Sequence, residues 1–245
     1  MTSRFHLPSG VRACFVTGTD TEVGKTRVSA ALLHWCAQQG WRSAGLKPVA
    51  AGTEMLDGER ANDDVRTLRA AASVPLTDAD ICPFQFDAAC APHIAAALEG
   101  RTIATGPILQ AAHRLAQQTD VLVVEGAGGF RVPLAPGFDS ADLTQALGLP
   151  VVLVVGLRLG CINHALLTAE AVRARGLRLA GWVGNSVDPA MPWRGENVQT
   201  LRQQLLAEFQ APCLGVVPHL APPTAAAVAT HLDDTALHAL FDPRP

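Results

Sequence analysis

The residues best suited to chemistry form one run, Gly18-Thr19-Asp20-Thr21-Glu22-Val23-Gly24-Lys25-Thr26. Gly18 and Gly24 allow a tight turn and a close approach of backbone to ligand. Successive amide N–H groups then face one concavity, and a helix starting there adds positive potential. Lys25 would neutralise β- and γ-phosphate charge, and the Thr26 hydroxyl would take one position on Mg²⁺. Five residues separate the glycines, one more than in the usual phosphate-binding loop. A bare Gly-Lys-Thr arises by chance, so the flanks decide. Ala13 to Thr17 is an apolar run that reads as a buried strand, and Val28 to Trp35 reads as a helix. Strand, loop, Lys-Thr and helix form the context a P-loop requires; the alternative is an ordinary βα turn.

Of the 19 basic residues, only Lys25 and Lys47 are lysines. The arginine bias itself reflects genome composition. Where lysine persists is more telling, because a compact ammonium fits where a planar fork does not. Lys47 lies at the carboxyl end of a run read as a strand, Arg42 to Val49, and open α/β sheets bind ligands at that edge. A solvated surface lysine is the alternative. Glu125 follows another apolar run, Asp120 to Val124, and precedes Gly126-Ala127-Gly128-Gly129. An acid at the tip of a buried strand in a P-loop chain is placed to bind Mg²⁺; a Gly-rich turn with a solvated Glu is the alternative. Asp64, in Asn62-Asp63-Asp64, opens a helix, where an acid is commonly a cap. Asn185 follows the strand Leu177 to Val183. It could bond a base edge, although Asn there is commonly a turn residue. The opening from Leu157 to Asn163 precedes a helix and could hold an anion on its amides.

The elements that must position these residues alternate. Strands are expected over Arg12–Thr17, 42–49, 120–124, 150–156, 177–183 and 212–217. Helices are expected over 24–39, 65–72, about 92–98, 108–118, 140–147, 165–175 and 195–209. Residues 50–61 read as a loop, and the insertion 75–92 holds a possible strand over 81–86. The tail, 222–245, reads as one short helix after an Ala-rich segment. Such alternation argues for an α/β fold: a mostly parallel sheet with helices on both faces, in a single domain over 1–245.

Composition sets limits. Apolar residues make up 49% of the 245, enough for a large core, yet no apolar run reaches the length of a membrane span. Met1 to Gly10 is mostly polar, so no signal peptide is expected. The net charge of −3 gives no nucleic-acid footprint. The six cysteines, Cys14, Cys36, Cys82, Cys90, Cys161 and Cys213, include no C-x-x-C pair, and the eight histidines show no metal-ligand spacing. Reduced core thiols in a cytoplasmic protein are the expectation.

Six ordered motifs carry a resemblance. They are Gly18 to Thr26, Lys47-Pro-Val-Ala50, Val124-Glu-Gly-Ala-Gly-Gly129, Val155-Gly156, Leu159-Gly-Cys-Ile-Asn-His-Ala165 and Leu179-Ala-Gly-Trp-Val183. In order and spacing they resemble the dethiobiotin synthetase family from about Cys14 to Leu220, and the five-residue gap between the P-loop glycines is the family's too. The resemblance implies a P-loop NTPase-like three-layer sandwich. It also implies an ATP- and Mg²⁺-dependent ligase that closes a ureido ring on 7,8-diaminopelargonate with CO₂, releasing ADP and phosphate, in biotin synthesis. A homodimer is implied as well.

The family's residues carry over singly. Glu22, Val23, Gly24, Lys25, Thr26 and Arg27 resemble the phosphate cradle, and Gly126, Ala127 and Gly128 line the nucleotide site. Thr26, Asp64 and Glu125 resemble the Mg²⁺ ligands. Lys47 resembles the catalytic lysine, acting with Lys25. Asn185 resembles the adenine reader, with Ser186 after it and Pro218, His219 and Leu220 as a wall. Thr21, Lys47 and Ala51 fall on the substrate side. Gly160, Cys161, Ile162 and Asn163 resemble a carboxylate-holding loop, which in the family comes from the neighbouring subunit. Two departures stand out. Ala51 replaces a common Ser, with Thr53 as the nearest substitute hydroxyl, and Ser186 replaces a common Asp.

Two rival classes share the fold. A ParA/MinD-type switch ATPase carries a signature lysine five residues before the second one, where this chain has Asp20, and the tail lacks a basic amphipathic membrane helix. A cobyrinate-type ligase would need a glutaminase domain with a Cys nucleophile, for which the chain is too short.

Overall fold

The computed structural model describes residues 5–56, 58–221 and 223–241. In chain order the elements begin β1 (Arg12–Gly18), α1 (Lys25–Gln38), β2 (Ser43–Leu46), β3 (Val49–Ala51), β4 (Glu54–Leu56) and β5 (Glu59–Ala61). Next come α2 (Asp63–Ala71), α3 (Asp78–Ile81), β6 (Phe84–Phe86), α4 (Pro92–Leu98), α5 (Thr105–Ala116), β7 (Val121–Gly129), β8 (Pro133–Ala135) and β9 (Phe138–Asp139). The rest are α6 (Ser140–Leu147), β10 (Val151–Gly156), α7 (Cys161–Ala174), β11 (Leu179–Asn185), α8 (Arg194–Phe209), β12 (Cys213–Val217), α9 (Ala225–Ala229) and α10 (Asp234–Leu240).

Six strands form the central sheet in the order β12-β11-β10-β1-β7-β2, every pair parallel. Val121 to Val124 and Val151 to Val155 are fully buried. Runs this apolar belong to a parallel sheet covered on both faces. Side chains alternate between the faces. Cys14, Val16, Val121, Val123, Val152 and Val154 pack with α1, α2, α9 and α10. Phe15, Leu122 and Val124 pack towards α4, α5 and α6, while Leu153, Val155 and Trp182 pack towards α7 and α8. No helix among the described residues is long and apolar enough to cross a membrane.

Several expectations are corrected. The strand expected over 42–49 stops at Leu46. Pro48 has no N–H and restricts the residue before it. The Lys47 N–H instead donates to the Ile81 carbonyl at 2.9 Å, and β3 pairs with β6 outside the main sheet. The supposed loop over 50–61 holds the antiparallel hairpin β4–β5, and the insertion carries α3 as well as a strand shorter than expected. β7 runs on past Glu125 to Gly129, and a small β8–β9 hairpin follows. α5 starts at Thr105, and α7 starts at Cys161, so residues expected in a loop form its first turn. The tail has two short helices, not one; Pro222 and 242–245 lie outside the described residues.

The carboxyl-terminal helices close the α1 face. The Trp35 Nε1–H donates to Asp234 Oδ1 at 2.9 Å, and the Trp35 ring stacks on Phe241 with centroids 6.1 Å apart. Gly215, in β12, bridges to Leu232. A Cβ at 215 would stand 2.4 Å from the His231 carbonyl oxygen and 2.9 Å from Leu232 Cα, both backbone atoms that cannot swing aside. Gly215→Ala is therefore expected to lower stability by about 1–3 kcal/mol. It should read as a reduced urea midpoint at unchanged slope. An unaltered midpoint would show that this close approach constrains nothing.

Candidate active site

The loop after β1 is fastened to the neighbouring strand ends. The Thr19 N–H donates to Val154 O at 3.0 Å, and the Gly156 N–H donates to Thr19 Oγ1 at 3.3 Å. Asn185, at the tip of β11, donates from Nδ2 to Val23 O at 2.9 Å. Gly24 is needed on two counts: φ is +89°, and a Cβ would meet Asn185 Nδ2 at 2.3 Å. Glu22 also has positive φ, +60°, a strained conformation held by its surroundings. No side chain caps α1, so its first-turn amides are open to a ligand.

Four elements bring charged groups to this loop. Lys25, 6% exposed, donates from Nζ to Asp20 O at 3.0 Å. Lys47 leaves the end of β2, 3% exposed, with Nζ 2.6 Å from both Asp64 Oδ2 and Glu125 Oε1. Glu125, on β7, is 0% exposed. Thr26 Oγ1 lies 2.6 Å from Asp64 Oδ1 and 2.7 Å from Glu125 Oε1. Asp64 is thus in the cluster as well as in the first turn of α2, whose cap is Asn62.

Burial works against the Lys47 charge, but Glu125 and Asp64 outweigh it and hold the ammonium above its ordinary pKa. For Asp64, burial is likewise outweighed, mainly by Lys47, and its pKa falls. Lys25 goes the other way. Burial, reinforced by the nearby Lys47 charge, brings it down to about 8, only partly opposed by Glu125, Asp64 and Asp20.

The oxygen cluster fits a hard cation. A hydroxyl has one proton, so Thr26 can donate to only one of the two carboxylates it touches. Glu125 Oε2 is buried with no hydrogen-bond partner. Among the described residues no group of three or more His, Cys, Asp or Glu forms a metal cage. Two carboxylates and a hydroxyl are instead the donor set expected for Mg²⁺, which keeps waters and phosphate oxygens in its remaining positions.

A family model described as an AAA domain matches residues 12–227. The ATP-dependent dethiobiotin synthetase BioD of Ralstonia nicotianae is 58% identical over 220 residues, covering 90% of this chain and 94% of that protein. The chain belongs to the dethiobiotin synthetase family. Its fold is shared more widely. MinD in the MinC:MinD cell division complex of Aquifex aeolicus superposes with a TM-score of 0.55 at 15% identity, covering 96% of this chain and 98% of that one. Chloroplast FtsY from Physcomitrella patens superposes at 0.53 and 13% identity, covering 99% and 69%.

The other residues that resemble the family's site fall in three places. Gly126 is buried against Phe15, and a Cβ on Gly128 would meet Thr21 Oγ1 at 3.5 Å, so Thr21 and the β7 glycines face each other. The Ser186 N–H donates to Val217 O at 2.9 Å, and the exposed His219 ring approaches Ser186 O at 3.4 Å. Asn185, Ser186 and the Pro218–Leu220 segment are thereby neighbours. Gly160, in the left-handed region, precedes α7 with no side-chain cap, and Asn163 is exposed. No contact described within this chain joins Gly160–Asn163 to the lysine cluster. Thr53, the nearest hydroxyl in sequence to Ala51, lies with Oγ1 2.7 Å from Asp87 Oδ1.

Two arginines at the site were not singled out by sequence. Arg158 pairs with Asp20, and Arg194 reaches Ser186 Oγ at 3.5 Å. Each is one arginine among many, and no spacing marks it.

Phosphate should raise the lowered pKa of Lys25, so nucleotide binding should draw in a proton above about pH 8. ADP titrations at pH 8.5–9 in buffers of different ionisation enthalpy should show that uptake, with affinity falling as pH rises. Buffer-independent heats would reject it.

Proposed function

We propose that this chain, as a single domain working in a cytoplasmic homodimer, closes the ureido ring of dethiobiotin on 7,8-diaminopelargonate from CO₂ and ATP. The observation that carries the reading is the meeting of Lys47 with Asp64 and Glu125 beside the P-loop threonine, with Lys47 at 2.6 Å from each carboxylate. Thr26, Asp64 and Glu125 would hold Mg²⁺. When bound, the ion would neutralise phosphate charge and orient the terminal phosphoryl group.

The chemistry makes three demands. One substrate amine attacks CO₂ and loses a proton, leaving a carbamate anion. Lys47, kept cationic by its two carboxylates, supplies the counter-charge for that anion. A carbamate oxygen then attacks the γ-phosphorus as the bond to ADP breaks. The P-loop amides and Lys25 hold the phosphates while charge gathers on the transferring group. Finally the second amine attacks the carbamoyl carbon and gives up a proton, the C–O bond to phosphate breaks, and phosphate leaves with the ring closed. Both amines belong to one bound molecule, so this step is largely a matter of orientation. Asn185, with Ser186 and the Pro218–Leu220 wall, would receive the adenine, and Gly160–Asn163 of a neighbouring subunit would take the substrate carboxylate. Asp20 in place of the signature lysine leaves the switch-ATPase reading without a supporting residue.

The deciding measurement is ADP release with and without diaminopelargonate plus bicarbonate. ADP, phosphate and dethiobiotin are expected in equal amounts, and only with the diamine. Hydrolysis indifferent to the diamine would return the switch reading. Lys47→Gln is expected to lower kcat by roughly 10²–10³-fold while ADP affinity changes less than about threefold. An unchanged kcat would remove Lys47 from the reaction.

A further inference from the structure

Asp20 makes two contacts inside the phosphate loop and one outside it. Its carbonyl accepts from Lys25 Nζ at 3.0 Å, its Oδ1 accepts the Thr21 N–H at 2.8 Å, and its Oδ2 pairs with the Arg158 guanidinium. Arg158 stands 138 residues further along, in the turn between β10 and α7. The other hydrogen bonds described from β10 to the loop, Thr19 N–H to Val154 O and Gly156 N–H to Thr19 Oγ1, reach only Thr19. Asp20–Arg158 carries the fastening one residue further, to the residue whose carbonyl holds the lysine.

The two side chains are 45% and 48% exposed. A pair this open adds little to global stability and is screened by salt. Its consequence is local. Glu22, two residues on, sits at φ +60°, and such a conformation persists only where the surroundings over-determine it.

We propose that Arg158 is a positioning residue for the nucleotide step: by fixing Asp20 it fixes the carbonyl that aims the Lys25 ammonium. The inference rests on the reading of this loop as the ATP phosphate site. The guanidinium acts through the carboxylate, and the carboxylate acts through its own backbone. Removing either member should therefore have the same effect, and removing both should add nothing.

The test is ADP calorimetry on Arg158→Gln, Asp20→Asn, the double variant and Arg158→Lys, with steady-state KM values for ATP and for the diamine. Each single substitution is expected to weaken ADP and raise the ATP KM about tenfold, with the double variant no worse than either. The diamine KM and the thermal midpoint should stay at wild-type values, and Arg158→Lys should recover most of the loss. The proposal is overturned if Arg158→Gln binds ADP as the wild type does, if the two losses multiply, or if only the diamine KM rises. An enzyme that ignores the diamine yet loses ADP affinity with Arg158→Gln would discard the ligase reading and keep the positioning role.

Discussion

A carboxylate with no exposure must be compensated or the fold does not tolerate its charge. Glu125 is that carboxylate, and Lys47 is its compensation at 2.6 Å. Breaking such a pair by removing one partner typically costs about 3–5 kcal/mol, because the other charge is left stranded. The pair therefore dictates where two distant strand ends lie. β2 must stop so that Lys47 can turn inwards, and β7 must deliver Glu125 beside it in the sheet. Those two strands are adjacent, with Leu46 opposite Val124. Lys47 and Glu125 are each the next residue of that register. The ion pair is the continuation of the strand pairing by other means.

The phosphate loop is built around the same edge. β1 lies beside β7, with Val16 opposite Glu125, so the loop leaving Gly18 passes above the pair. On its other side, Gly156 comes so close that a Cβ would stand 2.7 Å from Val23 Cγ1, and Asn185 closes over Gly24. Glycines let the backbone close in, and the side chains that fasten the loop, Asn185 and Arg158, bind it from outside its concavity. Apart from those of Thr19 and Thr21, which are engaged, that leaves its N–H groups available to an anion.

Much of this was legible in the sequence because the signals are local. Strand, loop, Lys-Thr and helix are contiguous, and Val121 to Val124 is too apolar to be anything but covered. The break after Leu46 was missed although Pro48 marks it, and the β4–β5 hairpin was missed although Gly58 is a residue suited to tight hairpin turns. Gly58 has φ +82° there. Other features were not local. Asp64 reads as a cap by position, and only the fold carries it to Lys47. Arg158 sits 138 residues along the chain from the Asp20 it touches, and an arginine-rich composition hides both it and Arg194, which reaches back to nearby Ser186. The start of α7 at Cys161 was obscured because Gly160 looks like loop, yet it is the left-handed residue from which the helix departs.

The two lysines share one site and are poised in opposite senses. Lys47 has two carboxylates against it, so its charge is secured before any ligand arrives. Lys25 is lowered to about 8 by burial and the neighbouring Lys47 ammonium, only partly offset by Glu125, Asp64 and Asp20, and its described hydrogen bond goes to a backbone carbonyl. A carboxylate in direct contact with its ammonium would raise it but would compete with phosphate for the same group. The arrangement therefore separates two tasks by neighbourhood alone. One cation is permanent and suits an anion that forms during the reaction. The other takes its counter-charge from the phosphates of the nucleotide it binds.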